Sequence, residues 1–372
     1  MDRRDFFKAS IGTIGLLSMG LPVFAGENNM PKKRIQLSYK LYDLKLKHTW
    51  TIARGSRDIA TIILTELECD GITGIGEAAL STSSRYGETQ ESVMDFLKKV
   101  DFPENLCLLE REKTLEYVDS IAPGNYAAKA AVDIALHDWV GKKLGIPLFK
   151  LWGLSKEKTP LTSFSIGLDS IENMILKVQE AEQYPILKIK VGKDNDKEII
   201  SSIRKVTKKP IRVDANEAWK SKEVALENIL WMQDQGIEFI EQPMPTSHLE
   251  ETAWLRERVN IPIIADESVG RLKDIAKLQN AFDGINIKLM KCGGLQEALK
   301  MIYAARAMNM KVMMGCMIES SVGISAAAHL SPMIDYADLD GNLLISNDPY
   351  HGAKVKEGKL ILKDSAGLGL VV

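Results

Sequence analysis

Five short apolar segments in the C-terminal two-thirds of this chain each carry a charged residue near their end, and they recur at a nearly constant interval. They read ILKIKVG (186–192), IRVDAN (211–216), IEFIEQP (237–243), IPIIADES (261–268) and INIKLMK (285–291). Their charged residues Lys190, Asp214, Glu241, Asp266 and Lys288 are 24, 27, 25 and 22 positions apart. That interval suits one strand, one helix and two short loops, and stretches of helical spacing such as Lys222 to Gln235 and Leu295 to Met308 lie between the strands. Strand–helix alternation implies a parallel sheet, and this many consecutive units favour a closed β/α barrel. The alternative, an open doubly wound sheet, has no Gly-rich turn after a first strand to support a nucleotide site. LTSFSIG (161–167), KVMMGCMIES (311–320) and YADLDGN (336–342) are the expected first, seventh and eighth barrel strands.

Side chains alternate faces along a strand, so Lys188 and Lys190 point one way while Leu187, Ile189 and Val191 point the other. Asn286 and Lys288 likewise oppose Ile285, Ile287 and Leu289. The apolar set can face the helices and the charged set the barrel mouth, where the carboxyl ends of barrel strands host catalysis. A single such charge could be a rim ion pair; five in phase are hard to explain that way.

Residues 34–150 break this rhythm. RIQLSYKLYDLKLKH and IATIILTELECDGITGIGEA read as strands with a Gly-rich turn at Gly71–Gly76, followed by helices, notably Ala127 to Leu144 ending at Gly145. The expected organisation is an export segment (1–27), an α+β capping domain (34–155 with 350–372) and a barrel (156–349). The tail, AKVKEGKLILKDSAGLGL (353–370), is expected to send a strand back to the capping domain.

Asp214, Glu241 and Asp266 end three successive strands, and three converging carboxylates repel one another unless a cation joins them. The four cysteines form no CxxC pair and the five histidines no HxxxH or HxH pair, so a metal here needs oxygen ligands, which points to magnesium or manganese over zinc. Lys190 beside Lys188 and a metal has the surroundings that lower a lysine's pKa and make a base. A proton next to a carboxylate is very weakly acidic, and removing it requires stabilisation of the enediolate that forms. The formal net charge of −2 supports neither a nucleic-acid nor a polybasic membrane partner.

At the N-terminus, Arg3 and Arg4 precede a short apolar run, Ile11 to Leu21, and then Pro22 and Val23-Phe24-Ala25. A charged start, a short apolar core and a small-residue cut site describe an export signal, here twin-arginine-like, which implies a periplasmic location. A cytoplasmic protein with an N-terminal tail is the alternative. The run is shorter than the roughly 20 apolar residues of a permanent membrane span.

KIKVG (188–192), VDANEAW (213–219), IEQP (240–243), ADES (265–268), INIKLMKCGG (285–294) and GCMIES (315–320), in order and at matching spacing, resemble the enolase superfamily, muconate lactonizing enzyme subgroup. ALHDWVGKKLGIPLFKLWG (135–153) resembles the helix closing that family's capping domain. The resemblance implies a TIM-like (β/α)7β barrel under an α+β capping domain and one magnesium per subunit on Asp214, Glu241 and Asp266. It implies that Lys190 and Lys288 work as acid and base on opposite faces of a substrate. Lys188 would assist Lys190 and bind a carboxylate, with Asn216, Glu267 and Glu319 in support. Homo-oligomerisation is left open.

Such lysine pairs serve cycloisomerases, N-acylamino acid racemases and dipeptide epimerases, so the scaffold alone does not choose the reaction. Asp338-Leu339-Asp340 on the eighth strand resembles the dipeptide epimerases, with both aspartates facing the mouth as a site for an α-ammonium group. Two solvated loop aspartates are the plainer alternative. Arg54 and Arg57 lie where the family places a specificity loop, and an arginine there could pair with the side chain of a C-terminal glutamate, as in L-Ala-D/L-Glu, a fragment of bacterial wall peptide. Tyr86 could belong to a second such loop. Cys316 is expected to be a small wall residue and not a nucleophile. A barrel kept only to bind solute would be expected to have lost some of these groups.

Overall fold

The computed structural model describes residues 34–53, 55–81 and 86–372; the expected export segment lies outside them. The first three strands, β1 (Gln36–Ile52), β2 (Gly55–Cys69) and β3 (Ile72–Ala79), form an antiparallel sheet. The turn between β2 and β3 is Asp70–Gly71 alone, both with positive φ. Gly74 and Gly76 lie within β3 and serve a different purpose from the turn expected there. A Cβ on either would stand about 2 Å from a backbone carbonyl, of Ala135 and Ala131 respectively, both in the helix Tyr126–Leu144. The glycines let that helix press directly on the sheet.

Eight strands follow: β4 (Phe164–Ile166), β5 (Leu187–Lys190), β6 (Ile211–Asp214), β7 (Ile237–Glu241), β8 (Ile263–Ala265), β9 (Gly284–Ile287), β10 (Lys311–Gly315) and β11 (Tyr336–Asp338). They pair in parallel in chain order, and a bridge from Thr162 to Ala337 closes the ring between first and last. The barrel inferred from the charge period is therefore present. So is the inferred parity. Outward residues such as Leu187, Ile189, Val213 and Ile285 join the large core beneath the helices, while Phe239, Ile264 and Met313, with Tyr336, form a separate cluster inside the ring. The Arg212 guanidinium lies 5.4 Å from the Phe239 ring and 5.1 Å from the Tyr336 ring, and donates to the Ala337 carbonyl. The barrel is thus plugged below by these rings and the Arg212 guanidinium packed on them, while the acids and lysines of the strand ends gather at the upper end.

Two further local expectations fail. INIKLMK does not continue as a strand to Lys291: β9 stops at Ile287, and Leu289–Cys292 forms one helical turn. The tail's strands, β12 (Lys354–Lys356) and β13 (Lys359–Ile361), pair with each other and touch Leu161 at the barrel entrance. Positive φ at Glu357 and Gly358 folds the tail back on itself before it can reach the antiparallel sheet. Its last residues do dock on the cap helix: Gly367 bridges Pro147, and Leu368 donates its N–H to Asp138. No helix among the described residues is long and apolar enough to cross a membrane.

Candidate active site

Asp214, Glu241 and Asp266 stand at the upper ends of β6, β7 and β8, fully buried, each offering an oxygen within 4.8 Å of the others. Each is held by a neighbouring strand or loop. Asn216, at positive φ, donates its N–H to Asp214, and Asn286 Nδ2 donates to Glu241 Oε1 at 2.7 Å. Gln242, also at positive φ, accepts the N–H groups of Asp266 and Ser268 on its side-chain oxygen. Left-handed backbone at a non-glycine residue costs energy, and here it turns both loops sharply at the strand ends.

The lysines surround this trio. Lys190 Nζ lies 2.5 Å from Asp214 Oδ2 on one side, and Lys288 Nζ 2.8 Å from Asp266 Oδ2 on the other. Lys188, beneath Lys190, reaches Glu241 at 2.6 Å, Asp338 at 2.7 Å and Asp214 at 3.3 Å. Burial works against the Lys188 charge, but Asp338, Glu241 and Asp214 hold its pKa well above the ordinary lysine value. Lys188 is thus a fixed cation. Lys288 is held up too, by Asp266 with Tyr86 and Glu241, against its own burial.

The carboxyl groups divide in two. Asp214 and Asp266 are held below their ordinary values despite burial, by Lys190 and Lys188 in one case and Lys288 and Lys291 in the other. Glu241 is pushed up to about 8, by burial and by Asp214. Its Oε2 is fully buried and has no hydrogen-bond partner among the described residues; the nearby Lys188 ammonium offers charge without hydrogen-bond geometry. Three buried carboxyl groups that bring oxygens within 4.8 Å of one another, one of them lacking a hydrogen bond at Oε2, fit a hard divalent cation such as magnesium. Soft or imidazole-seeking metals find no ligand here.

Above the trio, Trp50, Arg57, Tyr86, Ser165, Lys188, Lys190, Lys288, Asn216, Glu267, Cys316, Asp338 and Asp340 border one open cleft of about 600 Å3, counting the solvent space at its mouth. Asp338 and Asp340 both face it, as strand parity requires. Asp338 accepts from Ser163 Oγ at 2.6 Å and pairs with Lys188, and the Lys188 and Lys190 charges bring it down to about 2 against burial. Asp340 accepts the Ser165 N–H at 2.6 Å, and burial with Asp338 beside it pushes it up to about 7.

Arg57 borders the same cleft; burial lowers its guanidinium to about 10, and its Nε has no partner among the described residues. Arg54 lies outside those residues. Asn216 donates to Glu267 at 3.3 Å, joining two of the expected supporting groups. Glu319 is not in the cleft. It accepts the Met317 N–H and lies near Glu77 of the cap, which together with burial pushes it up to about 8. Glu77 in turn accepts two N–H groups at the start of the helix Ser321–Leu330, fastening cap to barrel. Burial raises the Cys316 thiol well above its ordinary value, so it is no ready nucleophile.

Three buried residues of the site were not singled out from the sequence: Lys291, Asn286 and Gln242. Strand parity already placed Asn286 on the Lys288 face. Gln242 stands in the IEQP segment beside Glu241, and as an uncharged residue it carries no charge signal of its own. Lys291 was hidden by the strand reading, since residues three apart on a strand point to opposite faces.

Fold and site together define a capped parallel barrel whose mouth holds acids and lysines on successive strand ends. The N-terminal domain of the mandelate racemase/muconate lactonizing enzyme family matches residues 40–153, and the enolase C-terminal-like domain matches residues 171–372. The chain belongs to this mandelate racemase/muconate lactonizing enzyme family of the enolase superfamily. It is 49% identical to an L-Ala-D/L-Glu epimerase of Bacteroides thetaiotaomicron, covering 100% of this chain and 99% of that one. A dipeptide epimerase from Enterococcus faecalis, solved with Mg and L-Leu-L-Tyr, superposes with a TM-score of 0.85 at 34% identity, covering 91% of this chain and 100% of that one. An N-succinyl Arg/Lys racemase from Bacillus cereus also gives 0.85, at 30% identity, covering 91% and 95%.

Proposed function

We propose that the protein is a magnesium-dependent dipeptide epimerase that inverts the α-carbon of the C-terminal residue, with L-Ala-D/L-Glu as substrate. One observation carries this reading: Lys190 and Lys288 flank the carboxylate trio from opposite sides, and Asp338 and Asp340 line the same cleft with Lys188. Asp214, Glu241 and Asp266 would hold the metal, which when bound supplies positive charge against the second negative charge developing on the substrate carboxylate. Lys190 and Lys288 take and return the α-proton on opposite faces. Lys188 keeps a permanent positive charge beside Lys190. Asp340, with Asp338, receives the α-ammonium group, and Arg57 the C-terminal glutamate side chain. Its close relatives named as epimerases support the isomerase class.

The N-acylamino acid racemase reading draws on the likeness to the N-succinyl Arg/Lys racemase. An acylated amine carries no ammonium charge and would leave Asp340 unmatched, and a dicarboxylate cycloisomerase substrate would be repelled there. Incubation with a dipeptide set in D2O, following deuterium at the C-terminal α-carbon, tests the choice. Exchange in L-Ala-L-Glu is expected; no exchange in any dipeptide, with turnover of an N-acylamino acid, would overturn it. We also propose export through residues 1–27, which N-terminal sequencing of the secreted chain near Gly26 checks.

A further inference from the structure

Lys291 is 4% exposed, yet it carries a charged ammonium group into the barrel. Nothing in the proton-transfer scheme uses it. Its Nζ donates to the backbone carbonyl of Asp266 at 2.6 Å, to the same residue's Oδ1, and to the Asn286 carbonyl at 3.2 Å. The helical turn Leu289–Cys292 begins at Lys288, so Lys288 and Lys291, three residues apart, lie on the same side of it. Both ammonium groups then reach the same carboxylate, Lys288 at Oδ2 and Lys291 at Oδ1.

The consequence is geometric. By gripping both the carbonyl and one carboxylate oxygen of Asp266, Lys291 fixes that side chain's rotation, so that Oδ2 alone is turned toward Lys288. By also gripping the Asn286 carbonyl, it ties the upper end of β9, where Lys288 is mounted, to the end of β8. We propose that Lys291 is a positioning residue that sets where the Lys288 ammonium stands relative to the metal trio, and so sustains proton transfer on the Lys288 face only. This rests on the two-base reading above. Without Lys291, Asp266 loses the donor that fixes its side-chain rotation and could turn either oxygen toward Lys288, shifting that ammonium relative to the substrate.

The two faces can be read separately, because each epimer presents its α-proton to one lysine. The test follows deuterium uptake into L-Ala-L-Glu and L-Ala-D-Glu separately, at saturating magnesium, for wild type and Lys291→Met. The expected result is a loss of about 100-fold in exchange from one epimer, the scale of an ångström's misplacement, while the other epimer stays within about fivefold. Calorimetric titration of Mg2+ into the same variant is expected to show the metal still bound, at an affinity lowered by about 10- to 100-fold, a loss that saturating magnesium offsets in the exchange assay. A purely structural role would depress both epimers alike, together with the melting temperature. Equal loss from both, or no loss, overturns the inference while leaving the epimerase reading intact; wild type exchanging neither epimer overturns both. If Lys291→Met fails to fold, Lys291→Arg keeps the charge but cannot place one nitrogen on all three acceptors, and the same asymmetry is expected there.

Discussion

Lys188 Nζ lies 2.7 Å from Asp338 Oδ2 in the barrel mouth, and this ion pair makes the two aspartates of the eighth strand unequal. Asp338 spends its charge on Lys188 and Ser163. Asp340 has no ion-pair partner within salt-bridge distance among the described residues; it meets Ser165 and a distant thiol, so it retains the capacity to receive a cationic ligand. Asp340→Asn is therefore expected to raise KM for L-Ala-L-Glu by roughly 100-fold, the loss of a charge-assisted bond worth about 2–3 kcal/mol. Asp338→Asn should also cost stability, about 3 kcal/mol for breaking a buried pair, seen as a lower Tm. Kinetics and thermal melts of the two variants separate these effects, and equal KM changes with equal Tm would refute the division of labour.

The same aspartate predicts a pH dependence. Burial and Asp338 push Asp340 up to about 7 in the ligand-free protein. Below that pH it is protonated and offers no charge to the substrate ammonium. KM for a dipeptide with a free amine should rise as pH falls below about 7, while an N-acetylated analogue, bound weakly throughout, should not show this limb. Steady-state kinetics between pH 5.5 and 8.5 check it.

Magnesium should bind more tightly as pH rises. The folded, metal-free chain keeps a proton on Glu241 up to about 8, whereas an ordinary glutamate loses it at 4.5. The folded state thus holds more protons across that window, and its stability falls as pH rises through it. Metal binding displaces the proton, so the Mg2+ dissociation constant should fall by up to about tenfold per pH unit below 8. Calorimetry in two buffers of different ionisation enthalpy should also detect proton release near pH 7. A pH-independent affinity would contradict it.

The barrel was legible because five successive units end on a charge that must face the mouth, so period and parity could be read from the same residues. The cap was less so. Gly74 and Gly76 look like turn residues, but their role depends on a helix more than 50 positions away in the chain. The tail's hairpin depends on two left-handed residues, Glu357 and Gly358, whose neighbours also suit one continuous strand. Within the site, the acids and lysines at strand ends stood out, while the groups that aim them did not. Asn286 and Gln242 are uncharged, and their value lies in whom they touch. Lys291 depends on a change from strand to helix at Lys288, one residue wide and invisible to a pattern of period two.

Arg57 gives the sharpest test of substrate choice. Its guanidinium lies mostly buried at the edge of the cleft, lowered to about 10 by that burial. Among the described residues its hydrogen bond is a long one, 3.4 Å to the Leu80 carbonyl, and its Nε has no partner there. A buried donor left in that state costs energy that a ligand carboxylate would recover. Arg57→Ala should therefore lower kcat/KM for L-Ala-L-Glu by roughly 100-fold, or about 2.7 kcal/mol, but change L-Ala-L-Leu by no more than a few fold. Arg57→Lys should recover only part of the loss, because a lysine cannot offer the planar pair of donors a carboxylate accepts. If both substrates fall together, Arg57 serves the fold of the cap and not the recognition of glutamate.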